Sequence, residues 1–504
     1  MVPREQNVRC PYAERMPESH DEALTRDGAR QAVPSDAELR PTAVFDQDLR
    51  AFLDSYQGEH PDDVIVVNDK LSPDQDVTAL VWELAARGHH ELLICRNVSG
   101  FDTPVVTNMF ASRVRVARML GTEVSNLHQA YQARSANLSP PKEVGTGPVM
   151  DQIVGGEDVD LADFPLLTHF SSDAGPYVTS GIIYAEHPDT RVGNLSYHRA
   201  LVHSPKELAT SLHSRGHLWR MVRAAAERGE RLPAAMIIGA HPLFMLAASA
   251  RVAADLDERW IAGGLLGAPL EVVATPRYGL GVPASAEVVL EGVIDPTRNV
   301  EEGPFGEFSG YSSHRSTNTS FQVETVLRRS ESFLLDVVGG NSAEHLNLAR
   351  IPRESEMAER LKARFPNVTA LHYPTSGTHF HCYVALRQSS PGEARQVLLG
   401  LLGWDPYVKT AVAVDDDIDV TNDEQVLWAL ATHFQPDKDL FVVGGLPGSP
   451  LDPSSSLEGT TSRLGLDATR GPGFAGTRIQ IAAASMERAR EWCDQILSFR
   501  TEAS

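Results

Sequence analysis

The chain has 504 residues, 42% of them hydrophobic and 22% charged, with a formal net charge of −22. That length and apolar content predict two or three domains with sizeable cores and exclude a disordered chain. So acidic a surface, with no Lys/Arg-rich stripe to offset it, excludes nucleic acid and anionic membrane as general partners.

Residues 1–40 are rich in Pro, Asp, Glu and Arg without apolar periodicity, which predicts a flexible N-terminal tail. Its polar, acidic start has no signal-peptide pattern. Four cysteines, Cys10, Cys95, Cys382 and Cys493, stand far apart without a CxxC pair, which fits a reducing cytoplasm and argues against a disulfide framework. From 41 to 150 the pattern predicts a small α/β domain. Helical spacing over 44–57 precedes strands at 63–67, 91–95 and 104–107, with a helix over 77–87 between the first two. The Pro- and Gly-rich stretch 138–149 reads as a linker.

From 151 to 345 the texture becomes strand-rich, with strands expected at 177–185, 235–239, 271–274, 287–290 and 320–326. This predicts a β-barrel-like domain with helical insertions. Ser204-Pro-Lys-Glu207 has the form of a capping box, which predicts a helix start there. The most apolar stretch, 234–250, is broken by His241-Pro242 and is shorter than the roughly 20 residues of a spanning helix, so it reads as strand, turn and helix. From 346 to 504 an α/β texture returns. Helices are expected at 353–364, 392–402, 423–434 and 485–499, and strands at 369–373, 379–386, 410–414 and 440–444. Ala489, Trp492, Ile496 and Phe499 share a face of the last helix, as a core or interface helix requires.

One segment carries the strongest chemical signal. Glu302-Gly-Pro-Phe-Gly-Glu307-Phe-Ser309 sets two carboxylates around a stiff turn, and proton transfer needs a carboxyl group held in place. Alone, such turns are more often solvated loops. Earlier in the chain Asn194-Leu-Ser-Tyr-His-Arg199 offers an amide and a guanidinium, followed by His217, Glu258 and Val282-Pro-Ala-Ser-Ala-Glu-Val-Val-Leu-Glu-Gly292. An arginine such as Arg199 can hold a carboxylate in a two-bonded fork and favour its charged form, while burial favours the neutral form; by itself such a residue is commonly part of a structural ion pair. Taken singly, Asn194, His217 and Glu258 read as an Asn in a turn, a His on a helix and a Glu on the surface, and spacing alone favours that reading; brought together they would make a mixed, fairly hard donor set that suits Mn or Mg better than zinc. His381 and His379 alternate on the strand expected at 379–386 and so share a face. The Asp415–Asp419 cluster reads as an acidic strand exit without chemistry.

In order and spacing this set resembles the UbiD family of decarboxylases, which use prenylated flavin mononucleotide. The distal Val414-Asp-Asp-Asp-Ile-Asp-Val420 and Trp428-Ala-Leu-Ala-Thr432 belong to the same resemblance, which spans about 45–490. It implies a three-part architecture: an N-terminal α/β unit, a central split β-barrel that binds the flavin, and a C-terminal α/β domain that forms a homodimer. It implies Arg199, Glu302 and Glu307 as catalytic residues, with Glu307 the proton donor. It implies Asn194, His217 and Glu258 as ligands of Mn2+ or Mg2+ that grips the flavin phosphate, with K+ as a further ion. His213, four residues earlier, competes with His217, which is preferred for its spacing from Arg199. Ser196, Tyr197, His198, Gly216 and Lys409 are implied at the flavin, and a separate prenyltransferase supplies it. The implied reaction is reversible, non-oxidative decarboxylation of an α,β-unsaturated acid in the cytoplasm, with Leu348 as an apolar wall. An aromatic or heteroaromatic acid, or a flavin-dependent reductase, are the alternatives.

Overall fold

The computed structural model describes residues 44–501, apart from 213–215, 389, 456–458 and 472, and gives the backbone alone at 497–501. The tail expected at 1–40, His213 and the side chain of Phe499 lie outside the described residues.

Among the described residues the strands form four sheets, three large ones and a small one of Gly281–Pro283, Glu271–Ala274 and Lys142–Glu143. The first has four strands, in the order Val64–Val67, Leu92–Cys95, Val105–Thr107 and Leu334–Leu335. Its first two strands are parallel and joined by the helix Asp76–Ala86, the crossover that a parallel pair needs. The last strand arrives from the central region. One apolar core accordingly runs from Val77, Val81 and Leu93 into Ile183, Leu290 and Phe321 of the second sheet.

That second sheet has nine strands. Its path runs Tyr177–Val178, Ala200–Ser204, Glu207–Thr210, Ser316–Arg328, Val288–Glu302, Leu232–Ile238, Ile182–Glu186 and Gly193–Tyr197, with Gln152–Gly155 pairing off Ser316–Arg328. The two end strands are not paired with each other. Yet Gly193–Tyr197 at one end is joined to Ala200–Ser204, next to the other end, by His198 and Arg199 alone. Two residues cover only about 10 Å of chain, so the sheet must curl until its ends approach, and Arg199 sits at the seam. The curl is the split barrel expected for this region.

The third sheet orders Val368–His372, His381–Leu386, Thr410–Asp415, Thr460–Ala468 and Leu440–Pro447, parallel in the middle and antiparallel at both edges. Alternation covers both faces. Cys382, Val384 and Leu386 pack with the helices Ala343–Arg364 and Glu393–Trp404, whereas Tyr383 and Ala385 pack with Asp423–His433.

Four expectations need correction. Ser204-Pro-Lys-Glu207 does not start a helix but turns the hairpin between Ala200–Ser204 and Glu207–Thr210. Pro-Lys suits a tight turn as well as a helix start, and the flanking strands bury Ala200, Leu208 and Ala209. Pro352 does not precede a helix but lies inside the 22-residue helix Ala343–Arg364, whose cap is Ser342. Burial from Leu346 to Ser355 on most sides overrides the local breaker. The expected linker contains a short strand, Lys142–Glu143, parallel to Glu271–Ala274. Finally, the strand holding His381 starts at that residue, so His379 lies in the turn before it and not on a shared face. Gly377 packs against the His381 side chain so closely that an added Cβ would lie 2.3 Å from the His381 Cβ, and Thr378 takes a φ of 50°, which together end the alternation.

Candidate active site

Glu302 ends the long strand Val288–Glu302, and the chain then turns through Gly303 to Glu307. Gly303 adopts a φ of 77°, and a Cβ there would meet the His314 carbonyl oxygen at 2.8 Å. At Gly306 a Cβ would run into the Phe170 ring at 2.3 Å. Both glycines are therefore required by the close packing of the turn. The loop 170–174 clasps it: Gly306 N–H donates to Asp173 Oδ1 at 2.9 Å and Ala174 N–H to the Pro304 carbonyl at 3.0 Å. Tyr177 accepts the Gly303 N–H at 3.1 Å, with its hydroxyl 3.3 Å from both Glu302 Oε1 and the Pro304 carbonyl.

Into this turn reaches Arg199 from the seam of the sheet. Its Nε donates to Glu302 Oε1 at 2.9 Å, and its Nη1 pairs with Glu307. The guanidinium lies 4.8 Å above the Phe305 ring. Glu302 is fully buried and also accepts from Asn318 Nδ2 at 2.9 Å. Glu307 is 5% exposed. Burial pushes its acid above the ordinary carboxylate value, Arg199 opposes this, and Glu302 and Asp173 reinforce it. Two carboxylates thus share one guanidinium. Such a set can hold one proton and release it.

Glu258, on the helix Glu258–Leu266, reaches the strand Gly193–Tyr197 next to Asn194. Glu258 is the first residue of that helix, and its Oε2 accepts the Leu195 N–H at 2.8 Å. Burial drives its acid up to about 8. A hydrogen-bond chain orients Asn194. His198 Nδ1 must donate to the Ser211 carbonyl, 2.9 Å away, because a carbonyl can only accept. In the neutral ring Nε2 then takes the Ser196 hydroxyl proton at 2.8 Å, and Ser196 Oγ accepts from Asn194 Nδ2 at 2.9 Å. This leaves Oδ1 as the amide's acceptor end, as a metal ligand requires. His217 opens the helix His217–Glu227 behind Gly216, and burial lowers its basicity, which suits a neutral ligand. Among the described residues no three His, Cys, Asp or Glu side chains cluster to hold a metal, and the Asn194 set contains only two of those types.

Lys409 stands elsewhere. Its Nζ pairs with Asp452 at 2.7 Å and donates to Ser454 at 2.6 Å, just before the strand Thr410–Asp415. Tyr197 sends its hydroxyl to the Met245 carbonyl at 3.3 Å. Leu348 is buried on the helix Ala343–Arg364. The acidic cluster is bound up in ion pairs, Asp415 and Asp417 with Arg470 and Asp416 with Arg387. Sequence reasoning missed Tyr177, Asp173 and Asn318 around the acids. None lies in a motif, and only the sheet brings them in.

Comparison with known proteins bears on this geometry. Three family models match in chain order: the N-terminal domain of 3-octaprenyl-4-hydroxybenzoate carboxy-lyase at 57–134, its Rift-related domain at 142–342 and its C-terminal domain at 346–468. Anhydromevalonate phosphate decarboxylase of Methanothermobacter thermautotrophicus is 31% identical over 422 residues, 84% of this chain and 96% of that protein. The chain belongs to the UbiD family of carboxy-lyases. The protein of the same name from Aeropyrum pernix is 32% identical over 82% of this chain and 93% of its own length. Among solved structures, the UbiD-class enzyme HmfF from Pelotomaculum thermopropionicum in complex with FMN matches with a TM-score of 0.82 at 32% identity, covering 87% of this chain and 98% of that one. Vanillic acid decarboxylase of Sedimentibacter hydroxybenzoicus in its closed form matches with a TM-score of 0.78 at 26% identity, covering 90% of this chain and 100% of that one. The three-part UbiD architecture is therefore this chain's fold, and its catalytic class is decarboxylation.

Proposed function

We propose that the chain catalyses reversible, non-oxidative decarboxylation of an α,β-unsaturated, alkenoic or acrylic-type acid with prenylated FMN, Glu307 giving the proton to the carbon that loses CO2. The observation that carries this reading is the single guanidinium of Arg199 bonded to both Glu302 and Glu307. A substrate carboxylate entering beside Arg199 competes with Glu307 for the cation and so favours the protonated form of Glu307. Glu302, with Asn318 and Tyr177, keeps Arg199 aimed. Prenylated FMN, when bound, supplies the electron sink that a vinylic carbon losing CO2 needs.

Asn194, His217 and Glu258 would hold Mn2+ or Mg2+ at the flavin phosphate, with K+ as a further ion. The buried carboxyl of Glu258, its acid raised to about 8, supports this, because a cation would relieve the cost of its charge. Glu258→Ala should lose metal and flavin together, and full flavin occupancy in that variant would overturn the metal role. Ser196, Tyr197, His198 and Gly216 flank these ligands and belong to the flavin site on the same reading, whereas the ion pair of Lys409 with Asp452 argues for a structural lysine. The domains are read as 41–150, 151–345 and 346–504. A homodimer is supported by Met486, Trp492 and Ile496, exposed on the helix Ala483–Thr501. No helix among the described residues is long and apolar enough to cross a membrane, and a cytoplasmic setting, with a separate prenyltransferase supplying the cofactor, completes the proposal.

An aromatic acid is the second reading, favoured by the aromatic wall of Phe308, Phe380 and Tyr407. Release of CO2 from a panel of alkenoic and aromatic acids by flavin-loaded protein separates the two. Mass spectrometry of the bound flavin tests the class: full activity on unmodified FMN would sink both in favour of other flavin chemistry.

A further inference from the structure

The turn that carries Glu307 is held from two sides. Upstream, Gly303 and Gly306 are bonded to Tyr177 and to Asp173 of the loop 170–174. Downstream, the chain folds back on itself: Gly310 N–H donates to the Glu307 carbonyl at 2.9 Å, and Glu307 N–H to the Tyr311 carbonyl at 3.0 Å. These two bonds shape the turn. Phe308, the residue after Glu307, ties it to another part of the molecule. Phe308 is 6% exposed. Its ring centre lies 4.6 Å from that of His379, 5.4 Å from that of Phe380 and 5.9 Å from that of Tyr407. All three meet it tilted or edge-on, as aromatic pairs prefer.

The seat belongs to the third large sheet. His379 and Phe380 stand just before the strand His381–Leu386, and Tyr407 shortly before its parallel neighbour Thr410–Asp415. The seat is stiff. The Phe380 carbonyl accepts the N–H groups of Lys409 at 2.7 Å and Thr410 at 3.0 Å. Tyr407 N–H donates to Asp405 Oδ1 at 2.8 Å, and Arg353, paired with Asp405, lies 5.1 Å over the Tyr407 ring. This sheet packs around cores of its own, separate from the core shared by the first two sheets. Phe308 thus plugs a turn rooted in the second sheet into a body with independent cores. Glu307 and Phe308 share one planar peptide unit, so Glu307, aimed at Arg199, is not free to turn while Phe308 is seated.

We propose that Phe308 is a positioning residue for proton transfer: its seat among His379, Phe380 and Tyr407 fixes the direction in which Glu307 presents its carboxyl. The third sheet thereby sets the geometry of an acid that belongs to the second. This rests on the reading of Glu307 as proton donor and adds what keeps it aimed.

The test asks whether Phe308 acts through Glu307. Flavin-loaded Phe308→Leu and Tyr407→Leu are assayed by CO2 release, each alone and each combined with Glu307→Gln. Alone, Phe308→Leu should lower kcat about 10–100-fold with KM nearly constant, because a misplacement of about 1 Å can cost about 10²-fold. Tyr407→Leu, which removes one ring of the seat, should lower kcat several-fold. Combined with Glu307→Gln, where no proton is left to aim, either replacement should change the residual kcat by a factor of about one. An equal loss in both backgrounds is what a merely structural role gives, and it overturns the proposal, as does an unchanged kcat in Phe308→Leu. A raised KM with kcat kept also overturns it and makes Phe308 a wall of the substrate pocket. Tyr407 is half-buried, so its replacement decides the matter should Phe308→Leu fail to fold. A crystal structure of either variant gives a readout that needs no turnover: the Glu307 carboxyl should have left Arg199, and an unmoved carboxyl overturns the proposal. If Glu307→Gln itself turned over normally, the donor role would fall, while a displaced carboxyl in the crystal would leave the positioning by Phe308 standing.

Discussion

Glu307 and Glu354 are both buried acids beside arginine, yet their surroundings set them to opposite tasks. Glu354 is fully buried and accepts from Arg113 Nη2 at 2.8 Å and from the Tyr373 N–H at 2.8 Å. His128 Nε2 and His372 Nδ1 lie 3.2 and 3.0 Å from it. Burial alone would raise its acid, but Arg113, with His372 and His128 behind it, holds it well below the carboxylate range. Glu307 has a single cation, already shared with Glu302, and burial prevails. Many partners per carboxylate lock the charge in place. One cation per two carboxylates leaves a proton free to move. Glu354 binds the helix Arg113–Met119 to the helix Ala343–Arg364, whereas Glu307 is available for chemistry.

Breaking the contrast at Glu307 should have the largest effect. Glu307→Gln keeps the size and the contact with Arg199 but cannot give up a proton. Turnover of flavin-loaded protein should fall about 10²–10⁴-fold, the range for a lost general acid, with flavin content and melting temperature little changed. Near-native turnover would remove Glu307 from the proposed role. Breaking it at Glu354 should do the reverse. Glu354→Gln leaves the half-buried Arg113 without its anion, and the melting temperature should fall by more than in Glu307→Gln, while turnover per folded molecule should hold.

The two acids also predict opposite pH limbs. Glu354's folded value is depressed. Its stabilisation is therefore complete above the unfolded carboxylate value of about 4.3 and is lost as pH falls through the lower folded value. Glu307's folded value is raised. Its proton is present below that value and lost as pH rises through it, so turnover should fall on the alkaline side. A melting temperature that drops in acid, together with turnover that drops toward high pH in Glu307 protein and follows a shifted profile in Glu307→Asp, would sharpen the comparison. A profile unaltered in Glu307→Asp would assign the alkaline limb to another group.

The difference between the two sites also marks what the sequence made legible. Glu302 and Glu307 stand out locally, because Gly303, Pro304 and Gly306 leave few conformations for the turn. Their link to Arg199, more than 100 positions earlier, came only from the resemblance. What makes the meeting physically necessary is the curl of a sheet whose ends are joined by His198 and Arg199. The partners of Glu354 come from three separate elements and carry no local pattern at all. His379 was misplaced for a related reason: alternation was carried back from His381 to His379, into the turn that follows Gly377 and Thr378, where the backbone has not yet entered the strand. The helix expected at Ser204 and the break expected at Pro352 failed because turn and breaker preferences amount to a few kcal/mol at most, and the buried faces around them decided the outcome.

The smallest effect belongs to Tyr177, which supports the reactive turn without taking part in proton transfer. Burial, with Glu302 adding to it, raises the phenol far above its ordinary acidity range, so it stays protonated and cannot replace Glu307 as donor. Its role is to take the Gly303 N–H at 3.1 Å and to stand beside Glu302. Tyr177→Phe leaves that buried N–H without a partner, at about 1–3 kcal/mol, so the melting temperature should fall modestly. If the turn depends on this bond to hold Glu307, turnover should fall several-fold with KM nearly constant, because the misplacement affects the proton step and not the capture of substrate. A lower melting temperature with unchanged turnover would show that Asp173 and the loop 170–174 suffice to hold the turn, and would make Tyr177 a structural residue, nearer in kind to the partners of Glu354.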